Sequence, residues 1–285
     1  MSSAQGEFPF NAELTGIDAI LAETAHSIDE LYRAAAKPGE DPPWIGLLTR
    51  IAKSTHMAPF NLMLADMQRP GARYVAFRET WAKAGREVNP AAIPVIVLWP
   101  FCPVRCAYDL SDTTGPTEDD DALDRLFGEA LEMKSDASGN LARRALKEDN
   151  IETVFAPFGS NQAGDARATG AVVAKKGVTQ KPMWVVRVAS HLNDGARLTT
   201  LIHELAHIYL GHQGGSGKKW PDYRPKRLDA REFEAEAVSF IVGSRFGLKT
   251  SSAEYLRDYL KDDTLEHISA SAIARAAGRI EQHAR

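Results

Sequence analysis

The chain has 285 residues, 44% hydrophobic and 25% charged, with a net charge of −4. That is ordinary globular composition with enough apolar mass for a large core, and it excludes a polycation built as a whole for duplex DNA. No apolar run reaches the ~18 residues of a spanning helix, and the start "MSSAQGEFPFNAELTG" lacks the charged end and apolar stretch of a leader. Neither a membrane span nor a signal peptide is therefore expected, and the expected location is cytoplasmic. Cys102 and Cys106 stand alone as C-x3-C, which reads as two free thiols rather than a four-thiolate site.

In chain order, a helix is expected from Ile17 to about Ala36, ended by "KPGEDPP". "WIGLLTRIAKS" and "PFNLMLADMQ" space their apolar residues as helices do. "RPGARYVAF" turns the chain, and "ETWAKAGREV" reads as a short helix. "IPVIVLWP", a continuous β-branched run, reads as a buried strand with "VRCAYDL" as its partner. Charge then shifts. Residues 44–106 hold eight Lys/Arg against three acids, whereas 111–124 hold six acids and no base. That break is the expected domain boundary. Helices are expected over 121–133 and 140–149, extended pieces at "GAVVAK" and "MWVVRV", and helices again over 198–212, 229–245, 252–260 and 264–283. No internal repeat is present.

The stretch "TLIHELAHIYLGH", residues 200–212, carries the chemistry. Thr199 or Thr200 is the expected cap of a helix running through Leu210. His203 and His207 are then i and i+4, one turn apart on one face, close enough for both imidazoles to hold one ion. Glu204 stands beside them, where a carboxylate can serve a water held by that ion. Two His and one carboxylate suit Zn2+ and leave a fourth position open. His212 falls outside the pair and reads as structural. The third ligand is expected downstream, in "DAREFEAEAVSFIVGSRFG". Glu232 and Glu236 share one face. Glu234 lies with Ala237, Val238 and Ile241 on an apolar face, where a charge without a partner is costly. Glu234 is therefore the expected ligand, with Glu236 as the alternative, and Gly247 closes the helix. "GHQGGSGKK" lacks the spacing of a phosphate loop and reads as a flexible connection.

"HELAH" followed by "EAEAVSF" resembles the ImmA/IrrE-type zinc metallopeptidases, with Glu234, Ala237 and Phe240 in the places of that family's downstream helix. Val238 stands where the family usually has Asn or Asp. Upstream, "APFNLMLADMQRPGARYVAFRETWAKAGREV", "IPVIVLWP" and "YDLSDTTG" resemble the N-terminal domain of ArdC-type antirestriction proteins. The pattern is carried by Asn61, Gln68, Trp81, Gly85, Asp109, Thr113 and Gly115, with "NPAAIP" replacing the family's Lys/Gly-rich turn. Together the two matches span close to half the chain.

The resemblance implies an α+β protein: a helical N-terminal domain with a small sheet that binds single-stranded DNA, then a zincin-like metallopeptidase domain with a small sheet and the HExxH helix. The divisions expected are an extension at 1–40, the DNA-binding domain at 41–118, an acidic linker at 119–140 and the peptidase-like domain at 141–285. His203, His207 and Glu234 would hold Zn2+, and Glu204 would act as base on a peptide or protein substrate. The basic surplus of 44–106 agrees, since cations attract phosphate without sequence preference and aromatics offer stacking surfaces. Arg69, Arg73, Arg78, Trp81, Lys83 and Arg86 are the expected contacts. The alternative is that the aromatics are core and the cations a solvated face. Two other functions remain open on sequence: a non-catalytic protective DNA-binding protein with structural zinc, and a peptidase that cleaves a repressor.

Overall fold

The computed structural model describes residues 29–30, 43–72, 74–99, 104–116, 120–133, 135–158, 162–169, 183–216, 219–220, 222, 227–248, 256 and 267–285. The expected helix at 17–36, apart from Asp29 and Glu30, lies outside them. So do the strand at "GAVVAK" and nearly all of the helix at 252–260.

The N-terminal half begins with α1 (Pro43–Lys53) and α2 (Pro59–Gln68), each opened by a proline, whose missing N–H costs nothing in a first turn. Along α1, Trp44, Leu47, Leu48 and Ile51 recur at helical spacing and are all buried. Strand β1 (Val75–Ala76), α3 (Arg78–Lys83) and β2 (Glu87–Val88) follow. Strands β3 (Val95–Leu98) and β4 (Val104–Asp109) come next, then β5 (Thr113–Thr114). β3 and β4 pair antiparallel, as expected, in a sheet of order β1-β4-β3, while β2 pairs with β5. β3 is not buried on both faces: Val95 and Val97 point inward, Ile96 and Leu98 outward.

The residues that carry the N-terminal resemblance hold this scaffold together. Gln68 exchanges two hydrogen bonds with the main chain of Ile96, and Asn61 does the same with Leu98, so α2 covers the free edge of β3. Trp81 is fully buried and donates Nε1–H to the Tyr108 carbonyl. Asp109 caps the turn that leads into β5.

The C-terminal half contains α4 (Asp120–Gly128), α5 (Ala137–Asp149), β6 (Ile151–Ala156), β7 (Gly164–Ala168), β8 (Trp184–Ala189), α6 (Asp194–Tyr209), α7 (Leu228–Arg245) and α8 (Ala270–Ala284). β6 runs parallel to β8 and β7 antiparallel to it, in the order β6-β8-β7. Neither β6 nor β7 is an expected strand. "IETVFA" buries Ile151 but exposes Val154 and Phe155, and "GDARA" has no hydrophobic pattern. α6 is capped six residues earlier than the Thr199 expectation, by Asn193, whose side chain accepts the Ala196 N–H at 2.9 Å. α7 ends at Gly247 with φ +69°, and the Leu248 N–H returns to the Gly243 carbonyl.

The acidic break does not separate two cores. One continuous apolar cluster joins Trp44, Leu48 and Met63 to Leu205, Val242 and Ile280. α1 packs on α7, and α2 on α8. A smaller cluster (Tyr74, Trp81, Val88, Leu123 and Phe127) seats α4 against the N-terminal sheets. The expected division into 41–118 and 141–285 is therefore a division of sequence composition, not of the buried interior.

Candidate metal centre

Helices α6 and α7 lie side by side and bring three side chains to one point. His203 Nε2 and His207 Nε2 are 3.2 Å apart. Glu232 enters from α7 with Oε2 3.7 Å from His203 Nε2 and Oε1 3.7 Å from His207 Nε2. Among the described residues these three form the group able to hold a metal ion. Zinc–ligand bonds of about 2.0–2.1 Å in a tetrahedron place neighbouring donor atoms about 3.3 Å apart. The distance between the imidazole nitrogens matches that edge, and each imidazole has one Glu232 oxygen a few tenths of an ångström beyond it. Two imidazole nitrogens and a carboxylate are also the donor types zinc takes, so the residues fit the ion.

The expected third ligand, Glu234, is not brought to this point. It is fully buried, but on the far side of His207. Its Oε2 accepts from His212 Nε2 at 2.8 Å, and its Oε1 accepts the Ser269 N–H at 2.7 Å. The alternative, Glu236, lies beside His203, with Oε1 3.4 Å from Nδ1. The reason is helical phase. Residues 232 and 236 share a face, whereas 234 is turned by about 200° from 232 at ~100° per residue. The burial of Glu234 was legible, but its partner is a histidine and a backbone amide. His212 reads correctly as lying outside the pair: its Nδ1 is 2.9 Å from His207 Nδ1.

Glu204 is buried beside the three side chains without joining them. Burial pushes its carboxyl above the ordinary carboxylate value, against the pull of His203 and His207. Burial also disfavours charge on His203, but Glu232, Glu236 and Glu204 outweigh it and hold the imidazole above its usual value. The neighbouring imidazoles of His203 and His207 keep Glu232 well below the usual carboxylate range. His212 is pushed down to about 3, chiefly by burial. Strand β7 runs past this group. A Cβ placed on Gly164 would stand 3.0 Å from Glu204 Cγ and 2.8 Å from Thr200 Cγ2, so the strand approaches α6 as closely as a glycine permits. The next residue, Asp165, pairs with Arg187 of β8.

The expected nucleic-acid contacts are mostly engaged within the fold. Arg69 pairs with Asp112. Arg86 donates to Thr113 Oγ1 and to the Pro116 carbonyl. Trp81, Trp44 and Tyr74 are core. Arg78 lies at the surface against Tyr108, Lys83 is exposed, and Arg73 lies outside the described residues. Of the aromatics expected to offer stacking surfaces, Phe77 instead joins a group with Trp99 and Arg105. Phe77 and Trp99 meet edge to face at 5.5 Å. Arg105 lies over both rings at 3.9 and 4.7 Å, beside an open, mainly apolar pocket of about 650 Å³.

Among the described residues, no helix is long and apolar enough to cross a membrane. No curated protein matches the chain. Among solved structures, the chain is similar to the Mn(II)-bound antirestriction ArdC protein from the R388 plasmid, at 15% identity and a TM-score of 0.40, over 91% of this chain and 97% of that one. It is also similar to the metal-free form of that protein, at 14% identity and 0.41, over 90% and 96%. Residues 147–273, which run from the end of α5 through the three-stranded sheet and both helices of the metal centre into α8, match Peptidase_M78, the IrrE N-terminal-like domain.

Proposed function

We propose that the chain is a zinc-dependent peptidase in which His203, His207 and Glu232 hold the ion and Glu204 carries the proton. The observation that carries this reading is the convergence of two imidazoles and a carboxylate, with donor atoms within 4.8 Å of one another, beside a fourth, buried carboxylate that is not one of them. Bound there, zinc supplies Lewis acidity to a water and to the peptide carbonyl. The protein's own groups do the rest. Glu204 takes the water's proton and delivers it to the leaving amine. Among the described residues β7 is the outer strand of its sheet, and it lies next to α6, so it can hold an extended peptide by main-chain hydrogen bonds beside Glu204.

Zinc analysis of the purified protein, together with cleavage of a peptide library, tests this. One zinc per chain and cleavage that disappears in Glu204→Gln, with zinc retained, are the expected results. Zinc well below one per chain, unchanged in His203→Ala, refutes the metal assignment.

A second reading is supported by the Phe77–Trp99–Arg105 group: binding of single-stranded nucleic acid through base stacking, the property that goes with the antirestriction role implied by the sequence resemblance. Fluorescence anisotropy with labelled single-stranded DNA across a salt series tests it. Loss of salt-dependent binding in Trp99→Ala supports it, and absence of binding by the wild type ends it.

A further inference from the structure

A buried hydrogen-bond chain behind His207 takes no part in the proton transfers above. We propose that Glu234 and His212 are positioning residues that fix His207 in its Nδ1–H form and so present the Nε2 lone pair to the metal. This rests on the reading of His207 as a ligand.

The order of donors follows from the atoms. As a carboxylate Glu234 has acceptors only, and its Oε1 takes the N–H of Ser269, an obligatory donor. Its Oε2 sits 2.8 Å from His212 Nε2, so Nε2 carries the hydrogen. The neutral His212 then has its lone pair on Nδ1. That atom lies 2.9 Å from His207 Nδ1, so His207 donates and holds its own hydrogen on Nδ1. The lone pair of His207 is left on Nε2, the atom that faces His203 and Glu232. The arrangement is the familiar carboxylate–histidine support of a metal ligand, extended by one imidazole. It also gives Glu234 a function that needs no place in the ligand shell. The chain continues past Ser269, whose Oγ donates to Asp29, so the last member is tied to the start of α8.

One nearly isosteric change tests the order. In Glu234→Gln, the Ser269 N–H still requires the side-chain oxygen, so the amide NH2 faces His212. His212 Nε2 must then accept, its hydrogen moves to Nδ1, His207 Nδ1 accepts in turn, and His207 Nε2 becomes an N–H pointed at the metal position. Imidazole ¹⁵N shifts of the metal-free protein report the tautomer directly, and competition with a chromophoric chelator reports zinc affinity. The expected result is an Nδ1–H His207 in the wild type, the reverse tautomer in Glu234→Gln, and zinc binding weaker by about 10–100-fold. His212→Phe should lose affinity similarly. His212→Gln, whose oxygen can accept from His207 while its NH2 donates to Glu234, should retain it. An unchanged tautomer with wild-type affinity in Glu234→Gln overturns the proposal, as does a variant that loses only thermal stability. If the tautomer reverses but the wild type itself binds no zinc, the positioning chain stands and the metal reading falls.

Discussion

Arg245, at the last turn of α7, should be one of the costliest residues in the chain to remove. Its side chain is completely buried and pairs with Glu281 of α8 at 2.6 Å. It also donates to the carbonyls of Ile51, Ser54, Thr55 and Met57 at the end of α1 and in the turn after it. The last carbonyls of a helix have no partner within it. Arg245 therefore caps α1 from a residue about 190 positions away in sequence while neutralising a buried acid. Arg245→Met keeps much of the volume but, among the described residues, leaves Glu281 paired with only the peripheral Arg285 and removes the Arg245 donor from the carbonyls. Removing one partner of such a pair costs about 3–5 kcal/mol.

At ~2.1 cal/mol/K per residue, unfolding 285 residues carries an entropy of about 0.6 kcal/mol/K, so the melting temperature should fall by about 5–8 °C. Calorimetry on the metal-free protein is the assay, since metal linkage would mask the loss. Because the clamp joins the two halves of one core, the wild type should unfold in a single transition, and the variant should either keep that single transition or split it. A variant that melts with the wild type would refute the view that this arginine holds α1 to α7.

Further expectations follow from the site and its surroundings. Glu232→Ala should abolish stoichiometric zinc binding, whereas Glu236→Ala should weaken it only moderately; the opposite ranking in a chelator titration would exchange their roles. Gly164→Ala should reduce cleavage at least as much as it lowers stability, because its Cβ would meet the Arg187 carbonyl and Thr200 Cγ2 at 2.8 Å and displace β7 from Glu204; wild-type kinetics would argue against a peptide bound along that strand. Asp149 is buried, but hydrogen bonds from His283, Arg279, Lys219 and Tyr209 hold its carboxyl far below the usual carboxylate range. The unfolded chain then takes up this proton first, near pH 4, so the stability that Asp149 supplies is complete above that pH and is lost as pH falls below it. In urea melts from pH 6 down to pH 3, Asp149→Asn should be less stable at the upper end and show a flatter decline, and parallel curves would refute the assignment.

The legible parts of this protein are those in which local pattern and tertiary role coincide. α2 was readable to the residue because Pro59 opens it and its apolar spacing matches the face it buries. His203 and His207 were readable because i, i+4 on any helix is one face. β6 and β7 were not, because one half-exposes its apolar residues and the other has almost none; their pairing with β8, not their composition, makes them strands. The acidic break marks no gap in the buried interior, for a related reason. Charge composition reports what faces solvent, while the join between the halves is made by apolar faces and by one buried arginine, and composition is blind to both. The aromatics of the N-terminal half divided in the same way: Trp44, Tyr74 and Trp81 became core, and a half-buried cation–aromatic group formed instead around Arg105, at the edge of the segment.

The three glutamates of "EFEAEA" show how far a burial argument reaches. A carboxylate on an apolar helical face must have a partner, and that reasoning picked out Glu234 correctly as the most buried of the three. It did not say which partner. A metal ion, an imidazole and a backbone N–H can each satisfy the same two oxygens, and only the position of the neighbouring helix decides among them. With α6 placed as it is, Glu232 and Glu236 face His203, while Glu234, turned to the opposite side, meets His212. One short acidic run thus surrounds the imidazoles from three sides: Glu232 between the two Nε2 atoms, Glu236 beside Nδ1 of His203, and Glu234 reaching Nδ1 of His207 through His212. On the proposed reading, the ligand, the flanking charge and the tautomer control all stand on a single helix. Displacing α7 by even one residue of register would therefore disable all three at once.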